Sequence, residues 1–592
     1  MTQESSRPFR LAPTGGVTFY PRIFGQRGAV AAEHYSAALA GIEILRQGGN
    51  AVDAACAATL VEGVVNPQMH TIGGELPILI SAPDRDDVVC INGNMAAPGK
   101  ATPQAFRDLG HRAIPAEGVL AAGVPGAMCA ILEALSRFGR LRFEDVSARA
   151  VELARDGFPA HSGLIRQHKS GITDNFQKFL GWPGTAGIYL PGGQIPAEGS
   201  LVRNPALAAM FARLAGKERA CAGDRRAGLR AAFDEFYRGD IAGEMVRFVK
   251  DRGGLLEKSD FDRFEIPIES SVHVTFAGSE IHKCGPWNQG PALLQSLTIL
   301  KNFDLREPGH NSADYIHLVA EAMKLAFADR EQFYGDPTQV CVPLKTLLSD
   351  EYGAMRAKMI AHRADAQIRP GDPLRNSALL PAQERLGGAA WGAGTVHVDA
   401  MDSDGLTAAF TPSGGWIRSS EVIPSLGFPL SMRLSNCYLE PASHPNIVAP
   451  FKRPRTTISP SLVKKGGKAW LAFGSMGGDQ QDQWQLQFLL NRLVFGMSLQ
   501  KAIEAPKFSS EHFPGFFAPH DFFLNRLRVE PEIGEPVVAD LRNRGHDVVI
   551  GPSWSEGFLC GTERNPESGV LEAGCDPRGT KSEIFPACAL AI

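Results

Sequence analysis

Residues 394–416, GTVHVDAMDSDGLTAAFTPSGGW, limit the fold more than any other part of the 592-residue chain. Apolar and polar residues alternate through Thr395, Val396, His397, Val398 and Asp399, Asp404-Gly405 supplies a turn, and 406–410 extends again. A period of two on each side of Asp-Gly is the pattern of a β-hairpin, with Thr395 opening its first strand. Directly ahead lies 363–394, rich in Ala, Gly, Pro and Arg and without a sustained period, which reads as a mobile linker. Long structureless runs inside compact chains are usually functional or disordered, so its meeting with a polar strand start is informative. A threonine in that position is by itself ordinary, because its β-branch suits a strand.

Elsewhere the pattern alternates between helix and strand. Ala38, Ile42 and Leu45 recur at helical spacing up to Gly48-Gly49, and beyond Asn50 a second helix carries Val52, Ala55, Cys56, Thr59 and Leu60. Apolar runs at 77–80 and 88–91 read as strands of a buried sheet around the turn at 84–87. Helical periods return at 127–138, 143–155 and 205–214, and after Ser312 through Tyr315, Val319, Ala322 and Ala326. Residues 469–473 form a short apolar strand that runs into Gly474-Ser475-Met476-Gly477-Gly478 and then a helix marked by Leu486, Leu489, Leu490 and Leu493. A strand, a glycine turn and a helix start leave backbone N–H groups pointing outward at the positive end of a helix dipole.

Sixty basic residues against 64 acidic ones give a formal net charge of −4, so no global charge steers the chain to nucleic acid or anionic membranes. The basic residues Arg213, Lys217, Arg219, Arg225, Arg226 and Arg230 are interrupted by acids and lack interleaved aromatics, the composition of a solvated face. The start has no apolar signal core and no run of 18 apolar residues occurs, so the expected location is cytoplasmic. Ten scattered cysteines without a C-x-x-C pair fit buried, reduced thiols, and no metal or nucleotide motif is present, so neither metal nor cofactor is expected.

From about Ala31 to about Arg578 the chain resembles the γ-glutamyltranspeptidase family of N-terminal nucleophile hydrolases. The resemblance rests on GGNAVDAACAA (48–58), Gly73-Gly74, GVPGA (123–127), LAFADREQFYGDP (325–337), TVHVDAMDSDG (395–405), KRPRTTISP (452–460), GSMGGDQQ (474–481) and DPRG (576–579). It implies an α+β fold, a four-layer αββα sandwich, in which 1–394 and 395–592 are large and small subunits of one precursor sharing one core. It also implies that Thr395 attacks the Gly394 carbonyl, that the ester hydrolyses, and that the freed amine, with a pKa near 8, then serves the same hydroxyl as base. Gly394, without a Cβ, crowds that attack least.

By the same resemblance Ser413 replaces the threonine that usually stands beside the nucleophile, and Gly477 and Gly478 donate to the oxyanion, worth about 3–4 kcal/mol per donor. His397 and Asp399 share a strand face with Thr395, but same-side positions lie roughly 6.6 Å apart, so a Thr-His-Asp triad is not expected and His397 is read as structural support.

The substrate positions depart from the family. Asn94 stands where an arginine usually holds the α-carboxylate, Asn436 where an aspartate holds the α-ammonium, and Gly415 where Asn or Glu is usual. Thr456-Thr457 replaces Ser-Ser, and Arg433 falls where the family has Gln or Arg and is a candidate replacement cation. Losing two charged hydrogen bonds of about 1.5–3 kcal/mol each weakens γ-glutamyl binding by an order of magnitude or more. The expectation is an amidohydrolase for a small carboxylate-bearing acyl group without the α-amino group; Gly415 removes a side chain near the acyl site, a hint of hydrolysis or of a larger acyl group. The alternatives are a glutathione hydrolase or γ-glutamyltransferase with a remodelled pocket, and a silent binding scaffold. The expected partners are a small-molecule amide and the two subunits of one precursor, with a homo-oligomer left open and neither nucleic acid nor membrane involved.

Overall fold

The computed structural model describes residues 17–221, 223–375, 379–380, 394–581 and 586–592. Two seven-stranded sheets carry the fold. The first runs, edge to edge, Cys588–Ala591, Gly28–Ala32, Val398–Asp402, Thr407–Phe410, Leu76–Ser81, Val88–Gly93 and Ile268–Ser270. The second runs Ile23–Gly25, Leu571–Cys575, Leu559–Arg564, Lys468–Ser475, Ser461–Lys465, Ser279–Lys283 and Val272–Phe276. All neighbours within both sheets are antiparallel.

Side-chain alternation along each strand separates the layers. Ala29, Leu79, Met401 and Ala409 of the first sheet meet Leu462, Ala472, Leu571 and Ala573 of the second in a core between the sheets that also holds Trp287. Val398, Ala400, Ala408 and Phe410 point the other way, into a large core with the helices Tyr35–Arg46, Ala51–Val65 and Ala127–Phe138. A second outer core places Val463, Leu471 and Phe473 against Pro291–Leu300, Ala313–Phe333 and Gln481–Leu493. The order is helices, sheet, sheet, helices: the four-layer αββα sandwich.

The hairpin sits in the middle of the first sheet, with Val398 opposite Phe410 and Met401 opposite Thr407. Its turn is held by Asp402, whose Oδ1 accepts from the N–H groups of Asp404 and Leu406, and Gly405 takes φ +95°, a left-handed conformation that glycine adopts without strain. Asp402 Oδ2 accepts from Ala51 N at 3.0 Å, placing a carboxylate at the N-terminus of the helix Ala51–Val65. Thr395 does not open the strand as expected. It lies three residues before Val398 and pairs only through an isolated bridge to Ser413.

Most of the run 376–393 lies outside the described residues, whereas the start of the expected linker is anchored. Ala364 N donates to Arg544 O, and the carbonyls of Asp365 and Arg369 accept from Lys324 and Arg356. The basic residues around Arg213 lie on two helices, where Arg213, Lys217, Arg219 and Arg230 have acidic partners and Arg225 bonds backbone carbonyls. All ten cysteines are free, and seven of them are buried. No described helix is long and apolar enough to cross a membrane.

Candidate active site

Thr395 is buried, and its surroundings follow from close backbone packing of glycines. Gly74 passes so near the following turn that a Cβ would stand 2.1 Å from Ser413 O, and Ser413 exchanges two backbone hydrogen bonds with Glu75. This fixes Ser413 across from Thr395, with the two hydroxyl oxygens 3.1 Å apart. Ser413 Oγ donates to Gly394 O at 2.7 Å and accepts from Arg433 Nη2 at 2.8 Å. Arg433 in turn holds Glu75 Oε2 through Nε and Nη2 at 3.1 and 3.0 Å, both side chains buried. Burial pushes the Glu75 carboxyl above its ordinary range, and the Arg433 charge pulls it back.

The Gly394 carbonyl has a second donor, the Trp416 indole Nε1 at 2.7 Å, which also reaches Met69 O at 2.8 Å. Gly394 must be small here. A Cβ would lie 2.6 Å from Gln68 O and Met69 Cα and 2.8 Å from that indole nitrogen.

Gly477 and Gly478 stand at φ +117° and +60°, consecutive left-handed residues that only glycine takes readily. A Cβ on Gly477 would meet the Trp484 ring at 2.4 Å. Among the described residues neither glycine N–H donates a hydrogen bond. Met476 packs with Val396 and Met69, which brings this turn beside Thr395, and Phe517 spans the gap between Gly478 and Trp416.

Four of the expected substrate residues connect to one strap, 454–457: Thr456 and Thr457 lie on it, Asn94 bonds to it directly and Asn436 through Asn446. Asn94 Nδ2 donates to Pro454 O at 3.1 Å, leaving its buried Oδ1 without a partner. Asn436 ends the short helix Arg433–Asn436; its carbonyl accepts from Asn446, which also accepts from Arg455 N, while both Asn436 side-chain atoms are buried and unpaired. Thr456 is tied by its carbonyl to Gln289 N, and Gln289 Nε2 reaches Gly478 O at 3.2 Å. Thr457 is buried beside it. Gly415 opens no space: at φ +58° a Cβ would stand 2.5 Å from Thr71 Oγ1 and 2.8 Å from the Gly73-Gly74 backbone, so the expected room for a larger acyl group is already filled.

His397 Nδ1 lies 2.9 Å from Thr411 Oγ1, and its Nε2 comes within 2.9 Å of Asp399 Oδ2 at an angle outside hydrogen-bond geometry. Backbone spacing therefore understated their approach, because side chains on a strand lean along it and His397 precedes the regular strand. Its ring lies on Gly474 of the opposite sheet, where a Cβ would be 2.4 Å away. None of these partners is Thr395.

Glu75, Trp416, Gln289 and Phe517 were not singled out from the sequence. Trp416 lies inside the hairpin stretch, and Glu75 follows Gly73-Gly74, but nothing in their spacing shows that Trp416 meets Met69, or Glu75 Ser413, across more than 300 residues. One cluster among the described residues has metal-ligand chemistry, His317, Glu321 and His546, with ligand atoms within 4.8 Å of one another. Glu321 is already held by Lys324 and Arg369, and the two rings bond to each other at 2.9 Å, with His317 Nε2 on Ala361 O, so their ligand atoms are engaged within the protein.

The γ-glutamyltranspeptidase family model matches residues 37–585. The chain belongs to the γ-glutamyltranspeptidase family. It is thereby an enzyme of the N-terminal nucleophile hydrolase class. The glutathione hydrolase proenzyme of Escherichia coli is 27% identical over 580 residues, covering 95% of this chain and 92% of that one. Among solved structures, LmbA2991HD is 38% identical with TM-score 0.90, covering 97% of this chain and 100% of its own. The cephalosporin acylase from Bacillus halodurans is 26% identical with TM-score 0.82, covering 100% and 99%. Within this γ-glutamyltranspeptidase-family chain, the geometry joins Gly394, Thr395, Ser413 and Arg433 in one hydrogen-bonded group.

Proposed function

We propose that the protein is a self-processing amidohydrolase in which Thr395, freed by cleavage after Gly394, attacks the carbonyl of an amide whose acyl group carries a carboxylate but no α-ammonium. The observation that carries this is the Thr395 hydroxyl 3.1 Å from a Ser413 hydroxyl that already touches the Gly394 carbonyl. The proenzyme relatives support self-processing. Strands 398–402 and 407–410 lie between Gly28–Ala32 and Leu76–Ser81, so a cut at 394–395 leaves the large and small subunits in one sheet.

In the mature enzyme the Thr395 amine takes the hydroxyl proton, the hydroxyl oxygen bonds to the substrate carbonyl carbon, and the leaving amine departs protonated. Gly477 and Gly478 N–H groups receive the oxyanion. Arg433, its charge matched by Glu75, orients Ser413 rather than standing free for substrate. The acyl group meets neutral amides: Asn94 Oδ1 and both Asn436 side-chain atoms are buried without partners and offer hydrogen bonds where an ion pair would hold a zwitterion. Thr456 and Thr457 supply hydroxyls for its carboxylate, and the acylase names among the relatives agree with a non-glutamyl acyl group.

A comparison of glutaryl-p-nitroanilide with γ-glutamyl-p-nitroanilide tests this, since the two differ by the α-amino group alone. The expected result is a kcat/KM at least about tenfold higher for the glutaryl compound, about 1.4 kcal/mol. The reverse preference favours a second reading, a glutathione hydrolase with a remodelled pocket, which the glutathione hydrolase relatives support.

A further inference from the structure

The carbonyl that Thr395 must attack to free itself is held by two side-chain donors, and one of them is an indole. Trp416 Nε1 lies 2.7 Å from Gly394 O, and Ser413 Oγ lies 2.7 Å from the same oxygen. Two donors at that distance on one carbonyl oxygen are the geometry of an oxyanion hole. We propose that Trp416 is a catalytic residue of self-cleavage, its indole N–H stabilising the negative charge that develops on the Gly394 oxygen. The inference rests on the self-processing reading above.

Packing alone does not ask for this contact. The indole N–H is already satisfied by Met69 O at 2.8 Å, so a purely structural tryptophan has no need of a second acceptor. Gly394 approaches it only because it lacks a Cβ, which would stand 2.8 Å from Nε1. The ring is buried, and the guanidinium carbons of Arg418 and Arg433 lie 4.6 and 5.2 Å from its centroid. Two cations over the π-system draw electron density from it and make the N–H a stronger donor.

The step balances within the chain. Thr395 Oγ1 bonds to the Gly394 carbonyl carbon as the carbonyl electron pair moves onto oxygen. Bond formation runs ahead of proton transfer, so the Gly394 oxygen is negative in the transition state; the Thr395 hydroxyl proton then passes to Ser413 Oγ while the Ser413 proton neutralises the Gly394 oxygen, a path laid out by the 3.1 and 2.7 Å contacts. On collapse the proton returns through Ser413 to the Thr395 nitrogen as the C–N bond breaks. This leaves an ester at Thr395 Oγ1 beside a free amine. Water then hydrolyses the ester and releases the Gly394 carboxylate.

The test is a pulse-chase in cell-free translation of the full chain, with precursor and products separated on a denaturing gel. Four chains are followed: wild type, Thr395→Ala, Trp416→Phe, and position 416 carrying 3-benzothienylalanine, which keeps the bicyclic ring and replaces N–H by sulfur. The expected result is no cleavage in Thr395→Ala and cleavage slowed roughly 100-fold or more in both Trp416 variants, the usual loss for one oxyanion donor. If Thr395→Ala stays intact while the benzothienylalanine chain cleaves at the wild-type rate, the indole N–H is not a donor in the reaction and the inference is overturned alone. Cleavage of Thr395→Ala at 394–395 overturns the self-processing reading and the inference with it. Should Trp416→Phe not fold, the benzothienylalanine chain decides.

Discussion

Arg433 Nη2 stands 2.8 Å from Ser413 Oγ while the same guanidinium carries Glu75 Oε2, so the hydroxyl beside Thr395 is positioned by a buried ion pair. Gly73-Gly74 brings Glu75 to Ser413, and the short helix Arg433–Asn436 brings the guanidinium.

Removing one member of that pair leaves a buried charge alone. Arg433→Met is expected to lose about 3–5 kcal/mol of stability, and the double variant Glu75→Gln with Arg433→Met to recover most of it. Urea denaturation of all three chains measures this. A single variant as stable as wild type would show that the ion pair does not organise the site.

Gly394→Ala adds a methyl 2.6 Å from Gln68 O and Met69 Cα and displaces the carbonyl from its two donors. The expected outcome is a precursor cleaved roughly 100-fold more slowly, the scale of a misplacement near 1 Å. Pulse-chase on a denaturing gel reads it; wild-type speed would mean that the carbonyl position is not critical.

Restoring a family-type side chain with Gly415→Asn is expected to damage the protein rather than rebuild a glutamyl clamp. Asparagine tolerates φ +58°, but its Cβ meets Thr71 Oγ1 and the Gly73-Gly74 backbone. A loss of about 1–3 kcal/mol follows from overpacking, visible as a lower Tm. A gain in γ-glutamyl hydrolysis without loss of Tm would contradict it.

Glu556 accepts from Trp484 Nε1, the ring on which Gly477 rests, and burial pushes its carboxyl from 4.5 up to about 8. Between those values the folded protein keeps a proton that the unfolded chain has released, so stability falls as pH rises, by at most about 1.4 kcal/mol per pH unit for this group. Glu62, pushed up to about 8 by burial, acts in the same direction. Glu556→Gln keeps the acceptor and is expected to reduce the slope by one proton in urea melts from pH 5 to pH 8. An unchanged slope would place the Glu556 titration elsewhere.

The outer architecture was legible because its signals are local. Asn50 caps the helix Ala51–Val65, Asp404-Gly405 turns the hairpin, and the apolar periods at 77–80, 88–91 and 127–138 coincide with elements of the fold. The site positions were legible through the family resemblance, which named Ser413, Gly477 and Gly478; the hairpin register, with Thr395 bridged to Ser413, supplies the physical reason for one of those meetings. Glu75, Arg433 and Gln289 come from elements far apart in sequence, and no spacing rule joins them. Gly415 illustrates the limit, since an absent side chain signals space only when nothing else has moved into it, and here Thr71 has.

Thr395 acts as nucleophile and base together only once it has become an amino terminus. Intact mass and terminal sequencing of the purified protein test it most directly. Wild type is expected to give two chains, the smaller beginning Thr-Val-His at Thr395, and Thr395→Ala one intact chain. An uncleaved wild-type chain that hydrolyses an amide as fast as cleaved material would contradict it.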